Sequence, residues 1–334
     1  MAPQLRRDPI VNRWVIISEG RAKRPMTPWI RPETTHNVFC PFCEGNESAT
    51  PPETLSYRPN GSLPDGPGWT LRAVGNKFPA LEGKGSAKEE GDDLFRSVTG
   101  VGKHEVIIET PSHDEELADL SEERVADLFN SARRRIIDFK KDERLLCVQF
   151  FKNHGHTAGA SLEHSHSQII AMPVISKQLE EKLAGARRKY DEAGVCVYCD
   201  IMKRELKNKE RVIEENRDFV ALSPFAPRFS FETWILPKKH GPNFEMADPE
   251  ATRTLAQMYK SMVMRINSLL DRPPYNMTMH TAPFGMEGDM SFHWHIEMWP
   301  VTGKVAGFEW GSGFHINSMP PEQAAETMRK VKLK

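Results

Sequence analysis

One ligand pattern occurs twice along this chain, and each copy ends in a His-x-His segment. Cys40 and Cys43 are followed by His113 and then by His164-Ser-His166-Ser-Gln168. Cys196 and Cys199 are followed by His240 and then by His293-Trp-His295. In an extended strand alternate side chains share a face and stand roughly 6.5–7 Å apart along it. One histidine of each pair can therefore bind a metal while its neighbour reaches forward from the same face. Of the five cysteines, only Cys147 falls outside the two Cys-x-x-Cys pairs. The recurrence of a Cys pair, a histidine, a helix and a His-x-His in one order points to two similar halves meeting near residue 195.

A Cys-x-x-Cys pair with two distant histidines is a tetrahedral ligand set suited to Zn²⁺, and four protein ligands close the ion to substrate, which makes the site structural. The first set reads as Cys40, Cys43, His113 and His164, the second as Cys196, Cys199, His240 and His293, giving one or two zinc ions per chain. His104 also lies between the first Cys pair and its His-x-His. It competes with His113 as a ligand, or is a partly buried histidine that binds nothing. The second copy also admits a looser site built from His280, His293 and His295 with Glu180 or Glu181. In a reducing cytosol paired cysteines favour metal over a disulfide.

A chain of 334 residues can bury a substantial core and hold two domains, here expected over 1–194 and 195–334. Its 45 basic and 46 acidic side chains leave no net field for nucleic acid or a membrane surface. The first residues lack the apolar stretch of a signal peptide, and no run approaches the roughly 20 apolar residues of a membrane helix. The expected location is the cytoplasm.

Strands are expected at Trp14–Ile17, Lys103–Glu109, Leu145–Phe151 and the His-x-His segments, with a helix starting at Ser121. A hairpin at Arg211–Leu222, a strand at Glu232–Leu236, a helix over Asp248–Leu270 and a strand at Asn276–Thr281 follow in the second half. Segments 45–68 and 82–93 carry turn and charge signals and read as surface loops. Hairpins and helices without regular βαβ alternation favour an α+β fold with a mainly antiparallel sheet and flanking helices.

His166 is the candidate for chemistry. If His164 is fixed on zinc, His166 lies beside it on one strand face, with Gln168 next along. The preceding loop, Asn153 to Ser161, offers glycines that let backbone N–H groups approach a ligand, plus amide and hydroxyl donors. A histidine among such donors is suited to attack a phosphoryl group while they stabilise the oxygens that gain charge. Arg21 and Arg24 are a further phosphate-binding candidate.

On these residues the chain resembles the galactose-1-phosphate uridylyltransferase family of the histidine-triad superfamily. The matching segments are RAKRP at 21–25, CPFC at 40–43, GNKFPAL at 75–81, the Asn153-x-Gly155 loop, His164-x-His166-x-Gln168, His280 and His293-x-His295. The resemblance implies two histidine-triad-like halves, a homodimer, and ping-pong transfer of a nucleotidyl group from a nucleotide sugar to a sugar 1-phosphate through His166. It places phosphate contacts on Asn153, Ser161 and Gln168, and nucleotide contacts on Arg21, Arg24 and Asn76.

The usual His-Pro-His-Gly-Gln is His164-Ser-His166-Ser-Gln168 here, and the usual acidic residue before the loop asparagine is Lys152. The C-terminal GFEWGSGFHIN lacks the family's sugar-phosphate glutamine and has Asn317 in that region. The His164-Ser-His166-Ser-Gln168 run, the second Cys pair and this ending are similar to the branch that includes plant ADP-glucose phosphorylase. UDP-glucose with galactose 1-phosphate is the reaction first expected, and phosphorolysis of ADP-glucose is the alternative. Two other readings are a nucleotide-sugar hydrolase and a zinc-ribbon nucleic-acid-binding protein. The neutral charge and the distance of the histidines from the cysteines oppose the latter.

Overall fold

Runs of β-branched and aromatic residues alternating with polar ones form a ten-stranded sheet in the computed structural model, which describes residues 2–23 and 39–333. Strands β1 (Gln4–Arg7) and β2 (Trp14–Ile17) stand outside that sheet. They are followed by β3 (Glu53–Tyr57), β4 (Leu71–Gly75), a small hairpin of β5 (Glu89–Gly91) and β6 (Arg96–Val98), then β7 (Lys103–Ile108), β8 (Cys147–His154) and β9 (His166–Met172). The later part of the chain supplies β10 (Val212–Glu215), β11 (Phe219–Leu222), β12 (Thr233–Pro237), β13 (Tyr275–His280) and β14 (His295–Pro300). A last strand, β15 (His315–Asn317), joins β1 and β2 in a three-stranded sheet.

The ten strands lie in the order β3-β4-β7-β9-β8-β13-β14-β12-β11-β10, and every neighbouring pair is antiparallel. Numbered within its own half, each set of five runs first, second, third, fifth, fourth from the outer edge inward. The two sets meet where β8 pairs with β13, from Tyr275 opposite His154 to Met279 opposite Phe150. The fold is therefore α+β with a large antiparallel sheet and flanking helices.

The two-residue alternation sorts side chains by face. Ile107, Ser167, Ile169, Ala171, Met277, Met279, Ile296 and Met298 are buried, and all of these apolar residues share one core. That face carries α1 (Glu122–Phe139), capped by the Ser121 hydroxyl accepting from the Arg124 N–H and acidic in its first turn. It also carries the long apolar helix Ala251–Leu270, whose Tyr259 ring meets Phe129 of α1 edge-on at 5.4 Å. His166, Gln168, Asn276, Thr278, His280, His295 and Glu297 alternate with those core residues and point to the opposite face.

Two parts of the chain differ from the sequence reading. Segments 45–68 and 82–93, expected as loops, contain the edge strands β3 and β5. The charge that suggested a loop at the first is paired there: Glu53 on β3 accepts from Arg58 at 2.7 Å and Arg72 at 3.1 Å. Between the halves lie helices α2 (Lys177–Ala193) and α3 (Val197–Asn208), the second starting on Cys196 as its N-cap. A Cys pair in the first helical turn hides the start signal that a Ser or Asp cap would give. Among the described residues, no helix is long and apolar enough to cross a membrane.

Candidate active site

The strand geometry gathers each sequence-predicted ligand set into one cluster. Cys40, Cys43, His113 and His164 have their ligand atoms within 4.8 Å of one another, and so do Cys196, Cys199, His240 and His293. In the first, Sγ to Nδ1 distances are 3.6 Å for Cys40–His164, 3.5 Å for Cys43–His113 and 3.6 Å for Cys43–His164. In the second they are 3.5 Å for Cys199–His240 and 3.4 Å for Cys199–His293. A tetrahedral ion with bonds of about 2.3 Å to sulfur and about 2.0–2.1 Å to nitrogen has an S···N edge of about 3.5–3.6 Å. Both sets therefore fit such an ion. The outer nitrogens are held as ligating imidazoles require: His164 Nε2 lies 2.7 Å from the Thr110 carbonyl, and His293 Nε2 2.9 Å from that of Pro237. Each donates its proton outward, which leaves Nδ1 free to bind metal.

The next histidine in each copy repeats the local geometry. His166 Nδ1 is 2.7 Å from the His164 carbonyl, and His295 Nδ1 is 2.9 Å from that of His293. In both, the Nδ1 proton is donated to the backbone and Nε2 carries the lone pair. The surroundings then diverge. His295 is 0% exposed, and its Nε2 accepts from the Lys182 ammonium at 3.2 Å, so its lone pair is occupied. His166 is 7% exposed, and its Nε2 has no partner among the described residues. Burial, reinforced by the nearby Lys152 charge, holds the His166 imidazolium below the usual histidine range, so the ring is a neutral nucleophile near pH 7. Phe42, within the first Cys pair, packs against it edge-on at 5.4 Å between centroids.

Three departures from the family pattern meet behind this histidine. Ser165 and Ser167 alternate with His164 and His166 and so turn to the helix side of the sheet. Both hydroxyls donate to buried Glu109, at 2.6 and 2.5 Å. The Lys152 ammonium donates to Glu109 at 2.7 Å, to Ser165 at 3.1 Å and to the His166 carbonyl at 3.0 Å. Burial acts to raise the Glu109 carboxyl, but Lys152 and the serines outweigh it and hold it below the ordinary range. The lysine and both serines thus form one fully bonded unit that fixes the strand under His166. Lys152→Met should destabilise the protein by about 3–5 kcal/mol, because Glu109 would be left buried and unpaired. Adding Glu109→Gln should recover most of the loss in denaturant unfolding. A single variant as stable as the parent would mean that the pair holds nothing in place.

The remaining candidates divide between two regions. Gln168 and Asn153 lie on the His166 face of β9 and β8. Asn276 holds the Asn153 carboxamide oxygen at 2.9 Å, which turns the Asn153 NH₂ outward. Gly159, at φ +93°, lies against that NH₂, where a Cβ would come within 3.5 Å of it. Ser161 is exposed at the end of this loop, and Asn76 stands beside His104 across from Gln168. Arg21 is exposed in a 3₁₀ turn after β2, and Asn317 is on β15, which pairs with β2 in the small sheet. Asn317 is 2% exposed, donates to the Pro227 carbonyl and accepts from Ser230 and the Met319 N–H. Its amide oxygen and NH₂ both bond within the chain, and among the described residues no contact ties it to His166. Arg24 lies outside the described residues.

The looser site needs correction. His293 faces Cys199, and Glu180 and Glu181 are exposed. The carboxylate beside His280 and His295 is Glu297, and the cation there is the chain's own Lys182, 2.6 Å from Glu297. Arg228 binds the other Glu297 oxygen at 2.7 Å. On an amphipathic helix the buried stripe includes Lys182, whose aliphatic stem packs inward while its ammonium meets this carboxylate.

The described residues thus combine an antiparallel α+β fold with a buried histidine beside amide groups and next to a Cys₂His₂ cluster. Residues 1–176 match the N-terminal domain of galactose-1-phosphate uridyl transferase and residues 184–332 its C-terminal domain. The chain is 37% identical to ADP-glucose phosphorylase of Arabidopsis thaliana, over 99% of this chain and 94% of that protein. It is 30% identical to galactose-1-phosphate uridylyltransferase of Thermotoga maritima, over 99% of each. The crystal structure of the Arabidopsis thaliana ADP-glucose phosphorylase with bound ADP-glucose superposes with a TM-score of 0.86 at 35% identity, covering 99% of this chain and 100% of that one. The chain belongs to the galactose-1-phosphate uridyl transferase family and is a nucleotidyltransferase.

Proposed function

We propose that the protein transfers a nucleotidyl group from a nucleoside-diphosphate sugar through a covalent intermediate on His166. The observation that carries this reading is the contrast between the two duplicated histidines. His295 Nε2 is occupied by Lys182, whereas His166 Nε2 is uncommitted and lies on the face that bears Gln168 and Asn153. In the first step Nε2 bonds to the α-phosphorus, the bond from that phosphorus to the bridging oxygen breaks, and sugar 1-phosphate leaves with the electron pair. In the second, an acceptor phosphate oxygen attacks the same phosphorus and the bond to Nε2 breaks. Asn153, Ser161, Gln168 and Asn76 donate hydrogen bonds to the phosphoryl oxygens as charge develops. His166 needs no general base, because its reacting nitrogen is already deprotonated.

Zinc fits both Cys₂His₂ sets, and when bound it supplies a rigid tetrahedral tie. Held by Cys40, Cys43, His113 and His164, it would fix the residue two positions before His166, and so aim the nucleophile. The chain is taken as two histidine-triad-like halves, 1–194 and 195–334. A homodimer is part of this proposal, carried by the family resemblance. A cytoplasmic location accords with this chemistry.

UDP-glucose and galactose 1-phosphate are the proposed donor and acceptor. ADP-glucose and phosphate form the second reading, favoured by the 37% identity to the Arabidopsis thaliana phosphorylase and by the internal engagement of the Asn317 amide. Steady-state rates with each pair should give parallel double-reciprocal lines, since the first product leaves before the acceptor binds. Parallel lines with the uridine pair support the first reading, and parallel lines only with the adenosine pair move the enzyme to phosphorolysis. Intersecting lines for both would mean direct transfer in a ternary complex and remove the covalent histidine.

A further inference from the structure

Among the described residues His104 belongs to no Cys/His cluster, and its ring bridges two groups of the candidate site. It sits on β7 two residues from Val106, which is opposite Gln168 on β9, so its ring crosses diagonally to the Gln168 side chain. Three contacts define the ring. The Ala80 backbone N–H donates to Nδ1 at 3.1 Å, Nε2 is 2.9 Å from Gln168 Oε1, and Nε2 is 3.1 Å from Asn76 Nδ2. A backbone N–H can only donate, so Nδ1 carries the lone pair and the single proton of a neutral ring is on Nε2. A protonated Nε2 must donate, and Gln168 Oε1 is the acceptor in reach.

The consequence falls on both carboxamides. With its oxygen held by His104, Gln168 presents its NH₂ on the face of the sheet that bears His166. The Asn76 oxygen already accepts from the Phe78 N–H at 2.8 Å, so its NH₂ is turned toward His104. Nε2–H cannot accept from it, which leaves that NH₂ uncommitted as well. The Asn76 N–H also donates to the His104 carbonyl at 2.8 Å, so one histidine sets the position of the loop and the tautomer that orients the amides.

We propose that His104 is a positioning residue for nucleotidyl transfer: as the Nε2–H tautomer it makes Asn76 and Gln168 present NH₂ groups together to the phosphoryl oxygens, which accept but never donate. Its place on the chain explains why it resembled a ligand without being one. This inference rests on the nucleotidyl-His166 reading, and the tests separate the two.

The first test is independent of activity. In protein with ¹⁵N-labelled histidine, the resonances lost in His104→Gln identify this ring, and they should show a pyrrole-type Nε2 and a pyridine-type Nδ1. The opposite tautomer, or an imidazolium at neutral pH, overturns the proposal. The second is a single-turnover cycle that follows labelling of the protein by radiolabelled UDP-glucose or ADP-glucose. An absent label on the parent protein contradicts the His166 reading and leaves the tautomer to judge His104. With labelling present, His104→Leu should slow it by about 10–100-fold, less than loss of a donor that touches the oxyanion directly. His104→Gln, which keeps a donor near Nε2 and an acceptor elsewhere, should stay within about threefold, as a conservative rescue. In a background that lacks both amides, Gln168→Leu with Asn76→Leu, His104→Leu should have at most a small further effect, because it acts through the residues already removed. Fully additive losses, or an equal loss in the parent with both His104→Leu and His104→Gln, mean a general packing role and overturn the proposal.

Discussion

His166→Gly is expected to lower turnover by on the order of 10⁴-fold or more, with metal content and unfolding unchanged. Among the described residues it belongs to neither Cys₂His₂ set, and its Nδ1 faces the His164 carbonyl. Its removal therefore leaves the ligand sets intact. Parent protein incubated with nucleotide sugar labelled in the α-phosphate should carry acid-labile, base-stable label, as a phosphoramidate does. Peptide mapping should place it on His166 and not on His295, whose Nε2 is buried against Lys182. Label that persists in the glycine variant, or that maps to His295, would sink the assignment.

Much of this site could be read from residue order because strand geometry is rigid. Alternation alone puts His295 and Glu297 on one face and Ile296 and Met298 on the other, and β14 keeps that division, although it starts only at His295, after His293 and Trp294. The ligand sets were equally readable, since thiolate and imidazole at such spacing have few other uses. Sequence order does not encode which edges meet. The β8–β13 seam joins two chain segments more than a hundred residues apart, and the Asn276–Asn153 bond that orients a candidate phosphate contact exists only because of it. The environment of His295 was hidden for the same reason. Lys182 reads as a solvated helix residue until Glu297 is found beneath it. His104 stands outside both clusters among the described residues, and its proposed role depends on a loop folding back to bring the Ala80 N–H to its ring. The Lys152, Ser165 and Ser167 departures look unrelated along the chain and meet only at Glu109.

Loss of a cysteine ligand should separate the two clusters. Cys40→Ser should remove one metal ion per chain, and Cys199→Ser should remove the other, each measured by elemental analysis of the purified protein. Free energy of binding at a four-ligand zinc site, about 10–16 kcal/mol in small peptides, adds directly to folding, so losing a ligand should cost several kcal/mol in denaturant unfolding. Activity should respond unequally. The first cluster holds His164, whose carbonyl accepts from His166 Nδ1, so its loss frees the strand that aims the nucleophile. Labelling by nucleotide sugar should then fall even where Cys40→Ser remains folded. The second cluster holds His293, whose neighbour His295 is locked away from substrate by Lys182, so Cys199→Ser should lower stability while a folded fraction keeps its labelling rate. Unchanged metal content in both variants would remove the zinc from the fold. Equal loss of labelling from both would mean that the site depends on the whole sheet, and that the first cluster has no privileged hold on His166.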